Sequence, residues 1–377
     1  MLKVVWEETR SGCTRNGQID WGNNPGEEKT EMKMTMTRAK GWTARWRGIV
    51  LAAGLLLSAC SGAGQASMEP EAEIPEKAAP AQQPSAASQP VILENNGRTI
   101  TYEEAPQRAV TLNQHVTEVM LALGLEDKMV GTAYLDDAIL PEWQDAYEKI
   151  PVLSDKYPNK EVLLAAEPDF VYAGWKSGFG EEGVGSMEEL EQAGIKPYLH
   201  MSSNMTAPKM GDVYADIANI GRIFRVEERA DALITGMKRE MEETIARLGE
   251  VEEPLRVFVY DSGTDKPFTA ANNYMTTLIG LAGGKNVFDD VEKGWAAVSW
   301  EEVIDRKPDV IVIVDYGETS AEQKRQTLLE KDELAGIPAI VNQRFVVLPL
   351  SAAAEGVRAP MALRMLAEGF YPERFQP

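Results

Sequence analysis

VEERADALITGMKREMEETIARLG, residues 226–249, sets Val226, Ala230, Leu233, Met237, Met241, Ile245 and Leu248 three or four positions apart among charged and small residues. That spacing draws a narrow apolar stripe along one face of a helix. At 1.5 Å per residue the helix runs about 36 Å, the width of a small domain. Outward from it lie EVLLAAEPDFVY at residues 161–172 and EEVIDRKPDVIV at residues 301–312. Both show a glutamate, six residues, Pro-Asp and then an apolar run. The repeat on either side of one long helix predicts two similar lobes joined by a stiff rod. The alternative is that a helix-Pro-Asp-strand junction recurs by chance in an α/β chain.

The N-terminal part is expected to be a leader. Arg38, Lys40, Arg45 and Arg47 precede the apolar run Gly48 to Leu57, and Ser58-Ala59-Cys60 follows. A basic region, a short apolar core and small residues at the cut describe a secretory signal, and the run is far short of the roughly 20 residues that span a bilayer. Leu57-Ser58-Ala59-Cys60 resembles a bacterial lipobox, which implies that Cys60 is acylated and becomes the first mature residue. Met32, Met34 and Met36 are alternative starts to Met1 for such a signal. The remaining cysteine is Cys13, so a mature chain has no disulfide framework and relies on its core. Nine of the 38 basic and six of the 59 acidic residues precede Cys60, leaving 29 against 53. A net charge of −24 excludes nucleic acid and polybasic membrane docking as partners. Ser61 to Pro90 is Ala, Pro, Gln, Ser and Glu with hardly a large apolar residue, a tether with a root-mean-square reach of about 30 Å.

From Val91 the pattern turns globular. Val91 to Tyr102 holds two β-prone runs around Asn-Asn-Gly, a hairpin signal. Strand and helix signals then alternate with short Gly and Pro stops, first from Ala109 to Leu199 and again from Leu255 to Glu368. The expected fold is α/β, two Rossmann-like lobes with mostly parallel sheets joined by one long helix. The expected divisions are a leader and signal at 1–59, a tether at 60–90, a first lobe at 91–225, the linking helix at 226–249 and a second lobe at 250–377.

Several short motifs occur in a fixed order along this frame. They are the signal itself, Pro106-Gln-Arg-Ala-Val110, Glu118 followed by Leu123-Gly124, the Glu161 and Glu301 junctions, Gly194-Ile-Lys-Pro197, Ile220-Gly221 and Trp300-Glu-Glu302. Together they resemble the extracellular binding proteins of ABC importers for iron-siderophores, haem and vitamin B12, from about Val91 to the C-terminus. The resemblance implies two lobes on a rigid helix that move little on ligand capture, a lipid-anchored monomer on the outer face of the cell membrane, and a permease and ATPase as partners. It implies a ferric siderophore or similar iron chelate as ligand, with cobalamin, another corrinoid or haem as the alternative. A lipid-anchored enzyme or adhesion module built on the same scaffold is the third reading.

Ligands of open parallel sheets bind beyond the carboxyl ends of the strands. That rule alone selects Asn113, Gln114 and His115, Tyr134, and Trp175 with Lys176 in the first lobe. In the second it selects Asp261 and Ser262, Tyr316, and Trp295 in a Gly-rich loop. Aromatic walls with polar tips suit a large, partly planar ligand. Tyr134 and Tyr316 have a second reading as core residues with solvated hydroxyls. Arg358, after the last strand, offers a fork for an anionic chelate or a salt bridge to the acidic surface. The two histidines, His115 and His200, stand 85 residues apart and do not make a histidine metal site. His115 is expected at a helix start, touching ligand.

Glu161 and Glu301 match by position the glutamates that, in the family resembled, pair with permease arginines. Two carboxylates on rigidly spaced lobes would meet two basic sockets and fix orientation; the alternative is a pair of acids favoured at helix starts by the dipole, and Glu302 competes with Glu301. No Gly-x-Ser-x-Gly, Walker sequence or His-Glu zinc motif occurs, so neither catalysis nor a resident cofactor is expected.

Overall fold

The computed structural model describes residues 89–376, which lie in one compact unit. The expected leader, Cys60 and nearly all of the tether lie outside the described residues. The chain enters through an antiparallel hairpin, β1 (Val91–Asn95) and β2 (Arg98–Tyr102). Its turn residues Asn96 and Gly97 have φ of 51° and 73°, the left-handed pair that matches the twist of the strands.

The first lobe follows as β3 (Ala109–Leu112), α1 (Gln114–Ala122), β4 (Met129–Ala133), α2 (Gln144–Tyr147), β5 (Val152–Ser154), α3 (Lys160–Ala165), β6 (Phe170–Ala173), α4 (Met187–Gln192), β7 (Lys196–Leu199) and α5 (Met210–Ile223). Its sheet is parallel with order β5-β4-β3-β6-β7. Every residue of β3 and β6 is buried. Strands covered on both faces read as near-continuous apolar runs, and these two do apart from Thr111 in β3, whose buried hydroxyl pairs with Thr117 and Thr132.

One unbroken helix, α6 (Glu227–Leu248), leads out. Ala230, Ile234, Met237, Met241, Thr244 and Leu248 form its buried face, so Ile234 and Thr244 take the places expected for Leu233 and Ile245. It packs against α5 in hairpin fashion. A Cβ on Gly221 would meet the Ala230 Cβ at 2.5 Å, so glycine lets the two helices approach closely.

The second lobe runs β8 (Leu255–Tyr260), β9 (Phe268–Ala270), α7 (Tyr274–Leu281), β10 (Gly284–Asn286), β11 (Trp295–Ala297), α8 (Trp300–Arg306), β12 (Val310–Asp315), α9 (Ala321–Glu330), α10 (Pro338–Val341), β13 (Phe345–Pro349), α11 (Leu350–Ala353) and α12 (Ala359–Phe370). Its parallel sheet has order β10-β8-β12-β13, beside a small antiparallel ribbon of β9 and β11. α12 returns to pack on α6, and one apolar core runs from β3 and β6 through α5 and α6 to β8, β12 and α12. A second core fills the other face of this sheet around Phe258, Phe288, Trp300 and Ile313.

Both sheets wind the same way. In the first, β3 leads outward to β4 and β5, and α3 carries the chain back to β6 and β7. In the second, β8 leads to β10, and α8 carries the chain back to β12 and β13. The sequence repeat at Glu161 and Glu301 is therefore the repeat of these two return helices, and each sheet reverses its winding once, between β3 and β6 or between β8 and β12.

Candidate functional site

A reversal of strand order opens a crevice at the carboxyl ends of the two strands that flank it. In the first lobe the crevice is bounded by Asn113 after β3 and Gly174-Trp175 after β6. Asn113 has φ 90°, and its Oδ1 accepts from the Tyr157 hydroxyl at 3.1 Å. Tyr134, at φ 58°, meets Tyr157 edge to face at 4.6 Å, with the Lys156 ammonium 4.6 Å from its ring centre. The partly exposed Trp175 lies 4.8 Å from the His115 ring. A Cβ on Gly174 would sit 2.2 Å from His115 Cε1, so the imidazole tucks beneath the strand end only because residue 174 is glycine. Lys176 is exposed, and its backbone N–H donates to Asn204 Oδ1.

In the second lobe Asp261 follows β8 and Tyr316 follows β12. Oδ2 of the buried Asp261 accepts from the Tyr316 hydroxyl at 2.7 Å and from Ser262 Oγ at 2.8 Å. Burial raises the Asp261 pKa, against the pull of those two donors and of Lys324. Burial, then the Asp261 charge, pushes Tyr316 far up, so its proton stays in place. The Asp136 carboxylate of the opposite lobe adds a small further push. Trp295 stacks on Phe268 at 5.9 Å and 10° in the β9–β11 ribbon.

Three expected ligand contacts instead belong to a buried polar seam between the lobes. Arg358 Nε donates to Glu118 Oε2 at 2.7 Å, Nη2 to Glu118 Oε1 and to the Ala138 carbonyl, and Nη1 to Ser351 Oγ at 2.9 Å. Arg358 is 5% exposed and Glu118 not at all. The expected salt bridge to the acidic surface is thus a buried pair with the other lobe, and the Arg358 guanidinium is not free for an anionic ligand. Gln114 is likewise occupied, donating to Glu118 Oε1 and the Ala138 carbonyl and accepting from the Asp137 N–H. His115 is 3% exposed, with Nε2 3.2 Å from Ser203 Oγ and its Cβ against Gly356. Burial lowers the pKa of His115 and His200 and lifts the Glu355 carboxyl to about 7.

Tyr157 is the wall residue that sequence reasoning missed. It follows β5, a three-residue edge strand with an exposed valine; a strand-end rule finds it only once that strand is recognised.

Glu161 and Glu301 are exposed in the first turns of α3 and α8. Their helices are capped by Asn159 and Ser299. Glu302 is turned back into a capping box, its Oε2 accepting from the Ser299 N–H at 2.8 Å, and those bonds hold its pKa low. That leaves Glu301 the free carboxylate of the pair.

The periplasmic binding protein family matches the chain over residues 110–352. The chain is 26% identical over 292 residues to an uncharacterized ABC transporter substrate-binding lipoprotein of Bacillus subtilis, YvrC, across 76% of this chain and 87% of that protein. It is 29% identical over 214 residues to the vitamin B12-binding protein of Pectobacterium carotovorum, across 55% and 71%. Among solved structures, a periplasmic binding protein from Veillonella parvula superposes with a TM-score of 0.70 at 33% identity, covering 75% of this chain and 98% of that one. A protein of an ABC-type Fe3+-hydroxamate transport system from Saccharomonospora viridis, at 22% identity and a TM-score of 0.64 over 75% and 99%, shares the fold.

Proposed function

The chain belongs to the periplasmic binding protein family and is the substrate-binding component of an ABC importer, not an enzyme; from that premise we propose that its cleft captures a corrinoid. One observation carries the choice. Tyr134, Tyr157 and Trp175 gather at the strand ends of the first lobe, the second lobe offers Tyr316 at its own strand end and the stacked Phe268 and Trp295, and the Arg358 guanidinium is locked to Glu118. Catecholate chelates and haem carry carboxylate or phenolate charge that guanidinium groups recognise best. A corrinoid offers a broad, flat ring with a fringe of neutral carboxamides, which suits rings and acceptors instead. The likeness to vitamin B12-binding proteins supports the same reading. The second reading is a ferric siderophore, favoured by Lys156 over Tyr134 and the exposed Lys176 beside Trp175.

The lipobox at Cys60 and the lipoprotein relative support an anchor on the outer face of the cell membrane. No helix among the described residues is long and apolar enough to cross a bilayer. The tether then holds a monomeric receptor near its permease, and Glu161 and Glu301 present matched charges for docking.

Calorimetric titration with cyanocobalamin, a ferric hydroxamate, a ferric catecholate and haemin tests the ligand. Cyanocobalamin should bind with a Kd below about 1 μM, and Trp175→Ala should weaken it by roughly thirtyfold. Saturable binding of a ferric siderophore with none of cyanocobalamin would install the second reading.

A further inference from the structure

At the reversal of the second sheet, between the ends of β8 and β12, lies a cavity of about 220 Å³. It is lined by Tyr260, Ser262, Tyr316, Thr327, Lys324 and Glu318, among others. Four of the six side-chain hydroxyls in this lining, which also includes Thr264 and Thr319, have their protons committed elsewhere. Tyr260 donates to the Gly263 carbonyl, Ser262 and Tyr316 to Asp261, and Thr327 to the Gln323 carbonyl. Each of these four oxygens therefore keeps only lone pairs to offer. The one lysine donates to the Val314 carbonyl at 2.6 Å and lies 4.3 Å from the Tyr316 ring centre. It is balanced by Asp261 and Asp315, with Glu318 on the rim. The nearby start of α9 is not an anion site, because the Ala321 N–H donates to Asp315 and the Gln323 N–H to Ser320 Oγ.

We propose that this cavity is a subsite for N–H donors on the ligand's periphery, a primary carboxamide or an ammonium group. It rests on the cleft being the capture site and names which end of the ligand enters the second lobe. A carboxylate or phosphate placed there would face lone pairs and net negative charge, so the subsite also rejects acids of the same shape.

Competition binding on the full chain tests this with two ligand pairs. The first is cyanocobalamin and its three propionamide-derived monocarboxylic acids, in each of which one carboxamide is replaced by a carboxylate. The second is ferrioxamine B, with its pendant ammonium, and the N-acetylated form. At least one monocarboxylate should bind about tenfold to a hundredfold more weakly than cyanocobalamin, and the gap should narrow in Ser262→Ala/Thr327→Val. Glu318→Gln changes an exposed side chain and keeps the test open should that double variant fold poorly; it should narrow the same gap. If cyanocobalamin binds and all three acids match it, the subsite is overturned and the corrinoid reading stands. If cyanocobalamin fails but ferrioxamine B binds and acetylation weakens it, the subsite stands and the corrinoid reading falls. Binding of neither parent, or of ferrioxamine B alone and regardless of acetylation, overturns both.

Discussion

Arg358 and Glu118 come from opposite lobes, and almost none of either side chain reaches solvent. Two buried charges are stabilising only as a pair, and removing one leaves the other desolvated. Arg358→Ala should therefore lower unfolding free energy by about 3–5 kcal/mol in urea titrations. A joint replacement of Arg358 by Met and Glu118 by Leu should recover most of that loss. An Arg358→Ala protein of unchanged stability but lost ligand affinity would return Arg358 to the cleft wall. Glu355 makes a second prediction. Burial is the main cause lifting its carboxyl to about 7, with Asp216 adding and Ser203 opposing. Between the ordinary carboxylate range and pH 7 the folded state holds a proton that the unfolded chain has released, so stability falls as pH rises through that window. Glu355→Gln should gain on the parent progressively from about pH 4.5, by about 3 kcal/mol at pH 7 and above. His115 and His200, held neutral by burial, tilt stability the other way below their ordinary range. They do so in parent and variant alike, so the difference between the two isolates Glu355.

Among the elements, the return helices α3 and α8 carry the docking claim. Each places an exposed glutamate in its first turn, and the capping box that occupies Glu302 leaves the Glu301 carboxylate outside it in the second lobe. Charge reversal at both, Glu161→Arg with Glu301→Arg, should leave ligand affinity within about twofold, because surface charges away from a ligand act weakly, and abolish uptake in a transport assay. Uptake that survives would mark them as ordinary helix-start acids. The elements that sequence made legible are those whose burial is one-sided or complete. The stripe of α6 and the unbroken apolar runs of β6 and β12 follow directly from period and length. α5 has an equally regular buried face, Val213, Ile217, Ile220 and Ile223, but a turn at Arg225, φ 60°, separates it from α6 so briefly that the long helix masks it. α9 hides for another reason, since a buried lysine, Lys324, interrupts its apolar pattern.

For the whole molecule, each lobe carries one sheet reversal, while the seam and the continuous core hold the lobes together. The strand ends that flank both reversals were legible from sequence, because they depend on the order of elements alone. The strand-end rule could not tell that Gln114 turns inward while Tyr134, Trp175 and Tyr316 stay partly exposed, nor could position after the last strand tell that Arg358 is buried. That difference is decided by partners distant in sequence, Glu118 for Arg358 across 240 positions. The central claim is that a large ligand sits between these reversals. Hydrogen–deuterium exchange with and without saturating cyanocobalamin tests it most directly. The account predicts slowed exchange in residues 134–137, 175–177, 261–264 and 316–319, with α6 unchanged. Protection confined to other surfaces, or none at all, would contradict it.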